Sequence, residues 1–393
     1  MRIGNTIYLD YQATTPVDPD VFAEMAPFFT ETFGNPHSSD HIMGWRSQQA
    51  VEHAQAQVAR LISAEADEIF FTSGATEANN LALLGGARGA PASKRRILVS
   101  AIEHKCVLAA AYELEAQHGF TVQEIPVDNA GFLKVNELVH LMGDDVLLVS
   151  VMAVNNEIGT IQDLVAIGGA VKKYDALFHC DAAQAPLACD IDCLGSGIDL
   201  LSLSGHKIYG PKGVGALFIR REAQHRVKPI LFGGGQQAGF RPGTVPTPLV
   251  VGFGTAADRL TGEPGHKERA RVRDLRDRFL DRLSRSDVPY TLNGPLDQHR
   301  HPGNANIAFK GIDSHELIGA LQPNIAAATG AACTSGMPEP SHVLGGIGLD
   351  RYTASSSVRF SLGRFTDDAQ VDEAVDHVVR VVANVREEES LIA

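Results

Sequence analysis

No apolar run in the sequence approaches the roughly 20 residues that a helix needs to span a bilayer. The most apolar stretch, VLLVSVMAV from Val146 to Val154, is too short for that and is a candidate buried strand. Positive charge is in deficit: 34 Lys and Arg face 47 Asp and Glu, a formal net charge of -13. Such a balance disfavours a general nucleic-acid binder, which carries a basic footprint, and points to small molecules or proteins as partners. The opening MRIGNTIYLDYQATTPVD has no basic segment followed by an apolar core, as a secretory signal would, so a cytoplasmic protein is expected. Cysteines are few, irregularly spaced and odd in number (106, 180, 189, 193 and 333), which excludes a disulfide framework for 393 residues. The group HCDAAQAPLACDIDC lacks the tight ligand pairs of a zinc site, so no metal is expected and its thiols read as small buried side chains. Repeats and low-complexity tracts are absent.

What is present is an alternation of short β-rich and helical runs. EIFF precedes TEANNLALLGG, RILVS precedes VLAAAYELEAQHG, and VLLVSVMAV precedes LVAIGGAVKKYDA. This rhythm predicts an α/β sheet with helices on both faces, and in open α/β sheets ligands bind at the strand ends. The length exceeds what one core usually serves, so two domains are expected. Composition changes after FGGGQQAGFRPGTVPTP at Phe232 to Pro248. HKERARVRDLRDRFLDRLSR then reads as a long charged helix, with Asp274/Arg278 and Asp281/Arg285 spaced for mutual support. A last helix is expected from about Asp367, with Val371, Val375 and Val378 on its apolar side.

Three stretches carry chemistry. In LLSLSGHKIYGPKGVG, Lys207 follows a strand, beside Ser204 and His206. A lysine that is desolvated or set among cations loses its proton readily, and the neutral amine can form a Schiff base. In FFTSGATEANN, small residues lead from strand to helix, so backbone N–H groups and the Thr76 hydroxyl can receive a phosphate. In LFHCDAAQ, Asp181 ends a strand, where a carboxylate suits a protonated pyridine nitrogen. Each stretch alone also fits an ordinary surface lysine, helix cap or capping aspartate. Together on one scaffold they meet the needs of pyridoxal 5'-phosphate.

The ordered set YLDYQATTPVDP, FGNPHSS, FTSGATEANNLAL, EHKCVL, VNNEIGTIQD, DAAQ, SGHKIYGPKGVGAL, ACTSG and SVRFSLGRFT runs from Tyr8 to Thr366. It resembles the class I (NifS/IscS-like) cysteine desulfurases of the class V aminotransferase superfamily. The resemblance implies pyridoxal-phosphate fold type I. Its large cofactor-binding domain, residues 16–255, would hold a mainly parallel seven-stranded sheet, and residues 1–15 with 256–393 would form a smaller α+β domain. It also implies a homodimer. Carried over, Lys207 is the Schiff-base lysine, His104 stacks on the cofactor ring, and Asp181 pairs with the ring nitrogen. Asn155 and Gln184 steer the phenolic oxygen and substrate. Ala75, Thr76, Ser204 and His206 hold the phosphate, with Thr244 of the partner subunit completing it. Arg359 binds the substrate carboxylate, a role suited to its two-pronged guanidinium, and Asn35 lies near the substrate. Cys333 matches the nucleophile, on a loop like the long sulfur-carrying arm of class I enzymes.

The implied reaction is desulfuration of L-cysteine to L-alanine, with sulfur passing to Cys333 as a persulfide and then to an acceptor protein. Iron–sulfur cluster assembly, tRNA thiolation and DNA phosphorothioation all draw on such enzymes. The alternatives are a selenocysteine lyase and a non-catalytic docking subunit that kept the fold. The chain departs from the family pattern at Pro242, within RPGT, at Ala238, where a charged residue is usual, and at Phe232, where His is expected. Pro242 lacks an N–H and holds Arg241 extended, which bears on the phosphate contacts.

Overall fold

A computed structural model describes residues 1–329 and 341–392, with side chains described to residue 387; Cys333 lies outside the described residues. The chain opens with an antiparallel pair, β1 (Arg2–Ile3) and β2 (Thr6–Tyr8). The central sheet follows: β3 (Ile69–Thr72), β4 (Arg96–Ser100), β5 (Thr121–Ile125), β6 (Val146–Ser150), β7 (Leu177–Asp181), β8 (Leu200–Ser204) and β9 (Gly215–Ile219). Their order is β3-β9-β8-β7-β6-β4-β5. β9 runs antiparallel to both neighbours, and the other pairings are parallel.

Every residue of β6 to β9 is buried. Helices cover both faces there, so VLLVS and GALFI need no polar alternate. Successive side chains serve opposite cores. Ile97 and Val99 join Leu81 and Ala111 of the helices Ala75–Arg88 and Lys105–His118. Leu98 joins the larger core with Val58 of the helix Ile42–Leu61 and Phe253 of Thr247–Asp258. The strand expected from Val146 to Val154 ends at Ser150. Beyond it the Met152 N–H donates to the Glu103 carboxyl, and Met152 and Val154 turn to line a cavity.

A second, antiparallel sheet places β11 (Asn304–Ala308) between β10 (Thr291–Leu292) and β13 (Ser357–Ser361), while β12 (Ile325–Ala326) pairs in parallel with β2. Phe360 is the hub of its core, with ring centroids 5.3 Å from Phe279 and 6.5 Å from Phe309. Val272 of the helix Glu263–Ser284, Val375 and Val378 of Asp368–Ile392, and Ile7 and Leu9 from the N-terminus complete it. Each such ring contributes about 1.5–3 kcal/mol by leaving water.

The charged helix forms as expected over Glu263–Ser284, and Asp281 pairs with Arg285 at 2.7 Å. Arg278 does not turn to Asp274. It forks onto Asp372 of the last helix at 2.6 and 2.7 Å, because a two-pronged contact across the helix interface outcompetes a single contact along one helix. Cys180 and Cys193 are buried free thiols, and Cys189 is partly buried. Among the described residues, no helix is long and apolar enough to cross a membrane.

Candidate active site

A cavity of about 720 Å³ opens at the C-terminal ends of the parallel strands, where β7 delivers Asp181 and β8 delivers Ser204. One end of it is a turn built to admit backbone. Gly74 has φ 153° and ψ 178°, a conformation open only to glycine, and caps the helix Ala75–Arg88. Gly215 of β9 packs against it: a Cβ there would meet the Gly74 backbone at 2.7 Å and the Leu203 carbonyl at 2.4 Å. Ser73, Ala75, Thr76, Ser204 and His206 line this end, presenting hydroxyls and a helix N-terminus to an anion. Burial pushes the His206 ring down to about 4, so it is neutral, with Nδ1 3.0 Å from Thr14 Oγ1.

Glu77, in the first turn of the same helix, would oppose an anion were it free. Its carboxylate instead accepts from the Ser73 N–H at 2.7 Å and from Arg241 Nε at 2.8 Å. Burial works to raise its pKa, and these bonds outweigh burial and hold it low. Arg241 is thereby turned to Glu77, and Pro242 behind it is buried.

Lys207 closes a 3₁₀ turn, Gly205–Lys207, straight after β8. Its Nζ donates to the Gln12 and Ala13 carbonyls at 2.6 and 2.9 Å. Burial, helped by the charge of Arg359, lowers its pKa to about 8 against the opposing pull of Asp181 and Asp10. Asp181 accepts from Asn79 Nδ2 at 2.8 Å and from the Ala183 N–H at 3.0 Å. His104 caps the helix Lys105–His118, its Nδ1 accepting from the Cys106 N–H at 3.2 Å. Burial holds its pKa below the ordinary value, so the imidazole is mostly neutral at pH 7. Behind it, Glu103 is wholly buried, and burial with the nearby charge of Asp181 pushes its pKa well above the ordinary carboxylate value. Arg359, 3% exposed, gives Nη2 to Asp10 at 2.7 Å and Nη1 to the Asn156 carbonyl at 2.7 Å.

Ala75, Thr76, His104, Asp181, Gln184, Ser204, His206, Lys207 and Arg359 thus line one cavity. Among the described residues, three expected ones do not. The Asn155 carboxamide is engaged inside the protein, accepting from the Glu157 and Ile158 N–H groups at 2.9 and 3.0 Å and donating to the Ile102 carbonyl at 3.1 Å. Asn35 and Thr244 are exposed and outside the lining. Sequence reasoning passed over Asp10, Gln12, Cys106 and His342, all in the lining. Asp10 and Gln12 sit in YLDYQATTP, a stretch with no local sign of chemistry. His342 donates to the Glu103 carbonyl at 2.9 Å, and its neighbour Ser341 donates to Glu157 Oε2 at 2.6 Å.

The donor set fits pyridoxal phosphate. Hydroxyls and a helix N-terminus would take the phosphate, Asp181 could take a ring N–H, and Lys207, a partly buried amine of lowered pKa, could take the aldehyde.

The model of the family described as Aminotransferase class-V matches residues 7–374. A cysteine desulfurase IscS of Rickettsia bellii (strain OSU 85-389) is 46% identical over 381 residues, covering 97% of this chain and 92% of that one. Among solved structures, a NifS-like protein superposes with a TM-score of 0.89 at 33% identity, covering 96% of this chain and 99% of that one. SspA in complex with cysteine superposes with a TM-score of 0.81 at 34% identity, covering 92% and 100%. The seven-stranded, mostly parallel sheet is that of pyridoxal-phosphate fold type I. Family model, relatives and cavity agree, and the chain belongs to the class-V aminotransferases, among their NifS/IscS-like cysteine desulfurases.

Proposed function

We propose that this protein desulfurates L-cysteine, forming L-alanine and a persulfide on Cys333 for delivery to an acceptor protein. The observation that carries the reading is Lys207, an amine of lowered pKa that shares one cavity with Asp181, His104 and Arg359. Bound pyridoxal phosphate supplies the electron sink that lets bonds at the amino-acid α- and β-carbons break. Arg359 fixes the substrate carboxylate, and Asp181 holds the proton on the ring nitrogen. Lys207 removes the α-proton as a general base and returns a proton to carbon. The Cys333 thiolate attacks the substrate sulfur, whose bond to the β-carbon breaks. His104, neutral and open to the cavity, accepts the thiol proton and hands a proton to carbon. The balance is cysteine plus the Cys333 thiol giving alanine plus the Cys333 persulfide, with no outside oxidant.

In this reading residues 16–255 carry the cofactor, and residues 1–15 with 256–393 carry Cys333. The protein acts as a cytoplasmic homodimer in which the exposed Thr244 of the partner subunit completes the phosphate site. The test is alanine and persulfide formation from L-cysteine. Cys333→Ser is expected to lose the persulfide while keeping the visible absorbance of the bound cofactor, and Lys207→Ala to lose that absorbance. Rapid sulfide release by Cys333→Ser without reductant would remove Cys333 from the mechanism. Faster turnover of selenocysteine than cysteine by the unaltered protein would replace the substrate.

A further inference from the structure

Gln12 borders the cavity with 2% of its surface exposed, and its Nε2 has neither a hydrogen-bond partner nor contact with solvent. Which end of this carboxamide is nitrogen follows from a chain of bonds that starts at an arginine. Arg300 can only donate. Its Nη1 lies 2.9 Å from one side-chain atom of Asn304, which must be the oxygen. The Asn304 Nδ2 then donates to the Glu157 carbonyl at 2.9 Å and to Gln12 at 2.7 Å, which makes the Gln12 acceptor its Oε1. Turning the Gln12 amide over would set two NH₂ groups against each other. Nε2 is therefore held as a donor without an acceptor.

The register sets the Gln12 backbone beside the strand that carries Arg359. Asn304 stands opposite Ser361, and Asn306 opposite Arg359, in the pairing of β11 with β13. Arg359 and Ser361, two apart on one strand, share a face. The Gln12 N–H donates to Ser361 Oγ at 3.0 Å, and Asp10, two residues earlier, holds Arg359 Nη2. Arg359 Nε is also buried without a partner. The Gln12 carbonyl meanwhile accepts from Lys207 Nζ and from Gln184 Nε2 at 2.8 Å. Gln12 thus lies between Lys207, which its carbonyl holds, and the strand that carries Arg359, which its N–H holds through Ser361. A buried donor without an acceptor is costly, and an anion with several lone pairs removes that cost.

The structure assigns Gln12 Nε2 as a second donor to the α-carboxylate of the substrate, beside Arg359, making it a specificity-determining residue that separates amino acids from simple amines. This rests on the desulfurase reading of the cavity. Equilibrium titration of the holoenzyme with L-alanine and with ethylamine, which differ by the carboxylate, reads the contact through the absorbance of the bound cofactor, without turnover. Gln12→Glu keeps an acceptor for Asn304 and replaces the donor with an anion, whereas Gln12→Met removes both. The half-saturating concentration of L-alanine is expected to rise about tenfold in Gln12→Met and further in Gln12→Glu, with ethylamine moved less than about twofold. Equal weakening of both ligands, or unchanged alanine binding, overturns the assignment. Should Gln12→Met fail to fold, Gln12→Glu carries the test, because Asn304 keeps its partners there. Failure of the unaltered holoenzyme to form alanine from cysteine overturns the functional reading instead, while the alanine and ethylamine titrations still report on Gln12.

Discussion

Lys207 must lose a proton before it can bond an aldehyde, so the pH dependence of cofactor uptake reports its environment. Burial lowers its pKa from 10.5 to about 8. At pH 7 about one lysine in ten is then neutral, against about one in three thousand for an ordinary lysine, an advantage of roughly 300-fold. The assay is stopped-flow binding of pyridoxal phosphate to the apoprotein, followed by visible absorbance from pH 6 to 10. Because the neutral amine reacts, the rate should rise about tenfold per pH unit below about 8 and level off above it. Two variants move the break in opposite directions. Arg359→Gln removes a cation that lowers the Lys207 pKa and leaves Asp10, which raises it, unpaired, so the plateau starts at higher pH. Asp181→Asn removes a carboxylate that raises it, so the plateau starts at lower pH. A rate still climbing at pH 10 in the unaltered protein, or both variants shifting the break the same way, would refute the reasoning.

Gly215→Ala drives a Cβ to 2.4 Å from the Leu203 carbonyl and 2.7 Å from the Gly74 backbone, so the Ser73–Thr76 turn, proposed to hold the phosphate, must shift. Strain of about 1–3 kcal/mol should appear as loss of pyridoxal phosphate on dialysis with an unchanged circular dichroism spectrum; full retention would show that the turn is not the phosphate site. Arg241→Ala removes the charged partner of Glu77, a half-buried carboxylate in the first turn of the helix Ala75–Arg88, and leaves it the Ser73 N–H. Cofactor affinity should fall about tenfold, and more at higher pH as Glu77 ionises, measured by equilibrium titration of the apoprotein. Arg300, wholly buried, donates to the Pro295, Ile158 and Asn293 carbonyls and to Asn304. Arg300→Met should cost about 3 kcal/mol by urea denaturation, and a loss below about 1 kcal/mol would show that water replaces the guanidinium.

What the sequence disclosed and what it hid divide along the range of the interactions. Lys207, Asp181 and the Ser73–Thr76 turn are each set by a strand end and the residues next to it, so hydropathy pattern and side-chain type together reveal them. β9 gave no sign of its antiparallel direction, because GALFI is buried on both faces and reads like its parallel neighbours. β5 escaped for the opposite reason: at the sheet edge, TVQEI keeps exposed positions and has no apolar run. Arg278 was legible as a charged helix residue, but its choice of Asp372 over Asp274 depends on which helix packs alongside. The end of the cavity lined by Asp10, Gln12 and Arg359 is the extreme case. Asp10 and Arg359 stand 349 positions apart, and Gln12 and Asn304 stand 292 apart. No periodicity spans such separations, and Gln12 reads as an unremarkable polar residue until β11 and β13 lay Asn304 and Ser361 against it. The setting of Lys207 was therefore readable from one strand end, whereas the contacts that Asp10 and Gln12 make with Arg359, Asn304 and Ser361 exist only once β11 and β13 meet the N-terminal segment.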